Sequence, residues 1–193
     1  MNKVSFTSAV LSIVLLAYPG GTHAVHAQPD TDAILKAMPK VQKDFFVKLL
    51  DLSKQELDAK KLKNAVAKKE ALDKVTKDSR ELLANINDTL SKDGAKDWTG
   101  SASVSSQTLA ITYKLKQESS LLVTIYIPTK GMTKDVIDVV KKLDKGDQVR
   151  FTIDANPKTP AKISHSGGSL GNRMYSIQAP TQLLKSLSVA SPK

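Results

Sequence analysis

Residues 108–127, which read TLAITYKLKQESSLLVTIYI, decide the fold of this chain. Apolar and polar side chains alternate over 109–115 and again over 121–127, and β-branched residues are frequent in both runs. A period of two is typical of strands that bury one face of a sheet. The polar segment 117–120 between the runs predicts a short hairpin loop, so the stretch forms two antiparallel strands.

The segments on either side extend this hairpin. The predicted elements are strands at 98–104, 109–115 and 121–127, a helix at 133–143, a strand at 148–155 and a possible strand at 173–179 after a glycine-rich loop. Strand-strand-strand-helix-strand-strand is the order of an OB-type barrel, a fold whose groove binds extended ligands. The sequence therefore predicts an α+β protein, in which helices at 28–96 precede a small OB-like β-barrel at 97–193.

Three motifs carry a resemblance to a known family. They are Asp97-Trp98-Thr99-Gly100, Leu109-Ala110-Ile111, and the run VVKKLDKGDQVRF at 139–151. Together they resemble an OB-like domain of exported bacterial proteins, in which W-x-G opens the first strand and L-x-x-G-D-x-V-x-F leads into the fourth. The resemblance covers about residues 97–155 and implies a fold; it implies no particular activity.

The first half reads as helix. Residues 40–91 contain neither Gly nor Pro, while Pro39 precedes them and Gly94 follows, as helix boundaries require. Apolar residues recur every three or four positions at both ends of this stretch, but they thin out over 60–69. The pattern predicts either a hairpin with a break near 58–64 or one long helix with a weak middle. A short helical turn is predicted over 31–38.

The first 27 residues have the features of a secretory signal. Lys3 precedes a short apolar run at 9–18, and Val25 and Ala27 are small residues at the positions that a signal peptidase reads. We therefore expect a periplasmic or secreted protein, with a retained membrane anchor as the alternative. No later apolar run is long enough to span a bilayer, and the chain has no Cys, which excludes disulfides.

Charge is concentrated in the second half. Residues 98–193 carry 13 basic and 6 acidic side chains, a net charge of +7, whereas residues 30–97 carry 15 and 13, a net charge of +2. A basic excess in one region favours an anionic partner, here an envelope component, or serves solubility alone. Export and the scarcity of aromatic residues disfavour nucleic acid.

Strand alternation selects candidate ligand-binding residues. Lys114, Lys116 and Arg150 are expected on outward faces, where they would form a basic track for phosphates or carboxylates, or else scattered solvated charge. Tyr126 is a candidate stacking residue, and Arg173 beside the glycine-rich loop is a candidate anion ligand. Tyr113 shares its face with aliphatic residues and is expected in the core.

No catalytic set can be assembled from this sequence. Gly167-Gly168-Ser169-Leu170-Gly171 matches G-x-S-x-G, but a strand is predicted after it where a nucleophile elbow requires a helix. His165 is the only histidine after the predicted signal, and no acidic residue follows Asp154, so neither a triad nor a metal or other cofactor is predicted.

We expect an exported, non-enzymatic binding or assembly protein. The alternatives are an accessory protein that oligomerises through its helices and a hydrolase that uses Ser169 and His165.

Overall fold

A computed structural model of the chain describes residues 30–169 and 172–190. The predicted signal peptide, residues 1–27, lies outside the described residues. The helices are α1 (Thr31–Ala37), α2 (Lys40–Lys61), α3 (Ala65–Lys92) and α4 (Lys134–Val140). The strands are β1 (Ala95–Val104), β2 (Thr108–Lys116), β3 (Ser120–Pro128), β4 (Gln148–Ile153), β5 (Lys162–Ser169), β6 (Asn172–Gln178) and β7 (Leu184–Val189). The predicted α+β class is confirmed, and within the described ranges no helix is both long and apolar enough to cross a membrane.

The helical stretch is divided into two helices that pack on each other. The α2 helix follows Pro39 and ends at Lys61, inside the predicted break. The Asn64 side chain caps α3 by accepting hydrogen bonds from the backbone N–H groups of Val66 and Ala67, at 2.9 and 3.0 Å. Because a capping Asn satisfies N–H groups that have no partner within the helix, it fixes the start of α3 at this point.

The seven strands form one sheet in the order β5-β6-β3-β2-β1-β4-β7. All neighbouring strands are antiparallel except β3 and β6, which are parallel. The sheet is not closed, since β5 and β7 lie at its two edges. The predicted OB-like barrel is therefore not confirmed.

The segment after β4 differs most from the sequence-based expectation. Residues 167–169, predicted as part of the glycine-rich loop, belong to strand β5. Gly167 and Gly168 have φ angles of 145° and 127°, and the β5–β6 register shifts between His165 and Gly167. A bulge explains why glycine is used inside this strand. The possible strand at 173–179 corresponds to β6, and β7 was not predicted.

One hydrophobic core joins the helices to the sheet. Phe46 of α2 is fully buried, with its ring centroid 4.5 Å from that of Tyr113 on β2 and 6.2 Å from that of Trp98 on β1. The inward faces of β2 and β3 are almost completely buried in the same core. The helices therefore cover one face of the sheet, which protects their apolar stripes from water, and the predicted boundary at residue 97 falls within β1.

Candidate functional site

The site begins with a split in the sheet between β1 and β2. These strands are in register only from Ser101 opposite Thr112 to Val104 opposite Leu109. On the N-terminal side of Ser101, β1 pairs only with β4, with Trp98 opposite Phe151. Past Thr112, β2 continues along β3. A wedge-shaped gap therefore opens between two neighbouring strands.

Side chains from the helices replace the missing ladder hydrogen bonds. The Gln42 side chain donates to the Thr99 carbonyl oxygen at 2.9 Å and accepts from the Thr99 N–H at 3.1 Å. In the same way, the Thr31 hydroxyl donates to the carbonyl oxygen of Lys116 and accepts from its N–H, both at 2.8 Å. Because buried backbone groups need partners, these contacts stabilise the split and hold α1 beside it.

The narrow end of the split is packed around a glycine. A Cβ atom at Gly100 would lie 2.6 Å from Cγ2 of Ile111 and 2.8 Å from the ring of Tyr113, so only glycine fits there. The Tyr113 hydroxyl is buried and has no hydrogen-bond partner of good geometry among the described residues. Burial raises the pKa of this phenol well above its usual value, an effect that the neighbouring Gln42 amide partly offsets.

A pocket of about 760 Å³ lies between α1 and the narrow end of the split. One wall is the apolar side of α1, and the opposite wall consists of small residues of β1. Lys114 and Lys145 also line it, from β2 and from the turn before β4. Its lining residues include Ala33, Ile34, Ala37, Met38, Gly100, Ser101, Ala102, Ser103, Thr112 and Tyr113.

The turn that carries Lys145 is fixed to β1 by backbone hydrogen bonds. The N–H of Gly146 donates to the carbonyl oxygen of Ala102 at 2.8 Å, and the N–H of Ala102 donates to the carbonyl oxygen of Asp147 at 2.7 Å. Gly146 has a φ of 103°, which favours glycine in this tight turn. Lys145 is exposed and forms no ion pair with the described part of the chain. The turn thus places a cation at the pocket.

The structure separates the predicted ligand residues. Of these, Lys114 lines the pocket, and Lys116 is exposed at the end of the same strand. Arg150 lies opposite Thr99 on β4, so β1 stands between it and the β2 lysines. Tyr126 is 37% exposed and pairs with Ala110, about 13 Å along β2 from Lys114. A continuous basic track is not formed by these side chains.

Arg173 faces the helices and is only 8% exposed. Its Nε donates to a Glu56 carboxylate oxygen at 2.8 Å, and Nη1 donates to the Ser79 hydroxyl at 3.0 Å and to the Tyr175 hydroxyl at 3.1 Å. Burial alone would lower the pKa of Arg173, but Tyr175 and Glu56 outweigh it and raise the pKa. Arg173 therefore joins β6 to both long helices and is not available on the surface as an anion ligand.

The residues considered for catalysis do not form a site. The His165 ring packs edge-on against Tyr175, with ring centroids 5.4 Å apart. The side chain of Ser169 lies outside the described part of the structure. No group of three or more His, Asp or Glu side chains within residues 30–169 and 172–190 is arranged to hold a metal ion.

The sequence pointed to one of the two pocket lysines and missed the rest of the site. Strand alternation identified Lys114, but Lys145 was assigned only to a turn, and α1 only to a short helix. The sequence signal for the site is weak. It is Gly100, a glycine inside a predicted strand, two residues after Trp98.

Comparison of the chain with family models, with curated proteins and with solved structures gave no match.

Proposed function

We propose that this is an exported, non-enzymatic binding protein whose pocket between α1 and the β1–β2 split holds a ligand with an apolar body and one anionic group. The observation that carries the proposal is the pocket itself, with an apolar helix on one side and Lys114 and Lys145 in its lining. Small-molecule sites are concave, mostly apolar and supplied with a few polar groups that fix orientation, which is the arrangement found here.

The size of the pocket supports a small organic ligand. Its volume of about 760 Å³ lies within the range of about 300–1,000 Å³ that is usual for such sites. Seven of the fifteen lining residues are Ala, Gly or Ser, so small side chains create much of the space. Hydrogen bonds from Gln42 to Thr99 and from Thr31 to Lys116 fix β1 and α1 in position, so the protein does not need to rearrange greatly to admit a ligand.

The charge favours an anionic head group over a neutral one. Lys114 and Lys145 are contributed by separate elements that meet at one pocket. They belong to the half of the chain with a net charge of +7. An ammonium group attracts a carboxylate, sulfonate or phosphate more strongly when the neighbouring apolar walls exclude water.

We also propose that the sheet is an opened and extended form of the OB-like order. Strands β1, β2, β3, helix α4, strand β4 and strand β6 follow the predicted succession, and β5 and β7 occupy the two edges. The proposed ligand would be an envelope component, in keeping with the export expected from residues 1–27. Oligomerisation through the helices stays a prediction of the sequence.

Calorimetric titration with dodecanoate tests the pocket. The parent protein should bind it, whereas Ala37→Phe, which fills the pocket beside α1, should weaken binding at least tenfold. Ala84→Phe, at an exposed position on α3, is the matched control and should bind within about twofold of the parent. Absence of binding by the parent, or equal binding by the Ala37→Phe protein, would overturn the proposal.

The head-group preference has its own test. Lys145→Gln should weaken dodecanoate binding by about three- to tenfold and leave binding of dodecanol unchanged, because only the anion interacts with the ammonium group. Lys142→Gln, at an exposed lysine on the same segment, is the control and should change neither. An equal loss for both ligands would mean that Lys145 contributes shape rather than charge.

A further inference from the structure

The end of the α2–α3 hairpin exposes aliphatic side chains among lysines. We call residues 58–70, DAKKLKNAVAKKE, the hairpin tip. Every residue from 61 to 66 is exposed, and within this run Leu62 and Val66 are 42% and 67% exposed. Both lie away from the core that the two helices share with the sheet. The fold therefore leaves two large apolar side chains exposed to water at the end of the hairpin.

The charge of the tip is strongly positive. It contains five lysines and two acidic residues. Lys60 and Lys61 form ion pairs with Glu56 and Asp58, at 2.7 and 3.3 Å. Lys63, Lys68 and Lys69 take part in no ion pair with the described residues.

We propose that the hairpin tip docks onto the surface of an anionic phospholipid bilayer, with Leu62 and Val66 in the boundary between head groups and acyl chains. Aliphatic residues ringed by lysines are the composition of segments that lie at such interfaces. Lysines near an anionic leaflet add electrostatic attraction, and their long aliphatic stems accommodate the charge at head-group depth.

The composition of the tip favours lipid over nucleic acid. Between residues 58 and 70 there is no Arg and no aromatic residue. These are the side chains that stack on bases and bind phosphates in two-point contacts. Exposed aliphatic side chains contribute nothing to a phosphate backbone, whereas they contribute directly to insertion between lipids.

The tip and the pocket lie at opposite ends of α2. Gln42, which spans the split, is in the first turn of the helix, and Lys61 is its last residue. At 1.5 Å per residue these positions are about 29 Å apart. Docking through the tip therefore leaves the pocket open to its ligand, and the membrane proposal stands independently of the proposed ligand.

Sedimentation with lipid vesicles tests the electrostatic part. The full chain is mixed with phosphatidylcholine vesicles that either contain or lack phosphatidylglycerol. A triple variant of the tip, Lys63→Gln with Lys68→Gln and Lys69→Gln, should lose at least tenfold in partitioning to the anionic vesicles. The charge-matched control is Lys141→Gln with Lys142→Gln and Lys158→Gln, at three exposed lysines outside the tip, and it should stay within about twofold of the parent.

The aliphatic side chains are tested separately. Leu62→Ser with Val66→Ser should also lose at least tenfold, and Val104→Ser with Val189→Ser, at residues that are 40% and 51% exposed, is the control. Residues 1–29 are the same in the parent and in every variant, so their contribution to vesicle binding cancels when a variant is compared with the parent. Failure of the parent to bind, or equal binding by tip and control variants, would overturn the proposal. Binding to a DNA duplex that depends on the lysines but not on Leu62 and Val66, without lipid binding, would do the same.

Discussion

Glu56 and Arg173 form an ion pair between residues 117 positions apart in the chain. Glu56→Gln should lower the free energy of unfolding by about 2 kcal/mol, because it leaves the Arg173 guanidinium buried without its charge partner. The loss stays below the roughly 3–5 kcal/mol of fully buried pairs because the Glu56 side chain is 21% exposed. Urea unfolding measures this. Glu81→Gln, whose partner Lys77 lies at 3.8 Å on the surface, should cost about 0.5 kcal/mol or less.

The same ion pair makes stability depend on pH in the acid range. Burial alone would raise the pKa of Glu56, but hydrogen bonds and charges from Lys60 and Arg173 outweigh it and lower the pKa. The stabilisation is therefore present above the ordinary pKa of a glutamate and is lost as the pH falls through the lowered folded-state value. The stability difference between parent and Glu56→Gln should shrink on acidification. A difference that stayed constant across this range would contradict the assignment.

Tyr113 illustrates a buried polar group that contributes little to stability. Because its hydroxyl has no well-formed hydrogen bond among the described residues, Tyr113→Phe should change the free energy of unfolding by less than about 1 kcal/mol, in either direction. Thermal unfolding measures the effect. A loss of more than about 2 kcal/mol would mean that the hydroxyl has a partner in solution, such as an ordered water molecule bridging to Gln42.

At the scale of elements, Gly94 connects α3 to β1 under two constraints. Its φ is 69°, and a Cβ there would lie 2.2 Å from the carbonyl oxygen of Ile153 on β4. Gly94→Ala should therefore lower the free energy of unfolding by more than about 2 kcal/mol, from backbone strain and a clash together. Gly131→Ala isolates the strain, since its φ is 87° and the nearest atom to a Cβ is 4.0 Å away. The free energies of unfolding are measured in urea. If both variants lost the same free energy, the structure around residue 94 would have relaxed enough to remove the clash with Ile153.

The elements with a regular pattern were the ones that could be predicted from the sequence. Strands β2 and β3 alternate without interruption, so both were placed within a residue of their observed ends. Among residues 162–168 of β5, whose burial the structure describes, only Ile163 is buried, and a bulge interrupts the register, so no period of two is visible. In β7 the buried residues, Leu184 and Leu187, are three apart because its register against β4 shifts. Both missed strands therefore carry irregular pairing.

The site was less predictable than the strands because it depends on long-range geometry. Alternation placed Lys114 on the outward face of β2, as the structure has it. It could not indicate that β1 is separated from β2 on the N-terminal side of Ser101, where the split opens beside the pocket. Arg173 alternates correctly with its neighbours, but its face is the one covered by α2 and α3. Which face of β6 is covered depends on where the helices α2 and α3 pack, and the local sequence pattern of β6 does not contain that information.

At the scale of the whole molecule, the shared core predicts one unfolding transition. Trp98 of β1 packs against Phe45 of α2, with ring centroids 5.2 Å apart. Tryptophan fluorescence and the far-ultraviolet helix signal should therefore change together as urea is added, because helices and sheet cannot separate without exposing the same core. Two distinct midpoints would instead indicate that the helical segment and the sheet unfold as independent units.

The single parallel contact in the sheet joins strands that are far apart in the chain. Strands β2 and β3 meet through a short turn, whereas Ser120 of β3 and its partner Asn172 of β6 are 52 positions apart. Closing so long a loop costs chain entropy before any contact is gained, so β6 must join late in folding, already paired with β5. Until then, the edge of β3 is an unpaired apolar strand. A nascent chain therefore exposes β3 to aggregation in the interval between synthesis of residue 128 and arrival of residue 172.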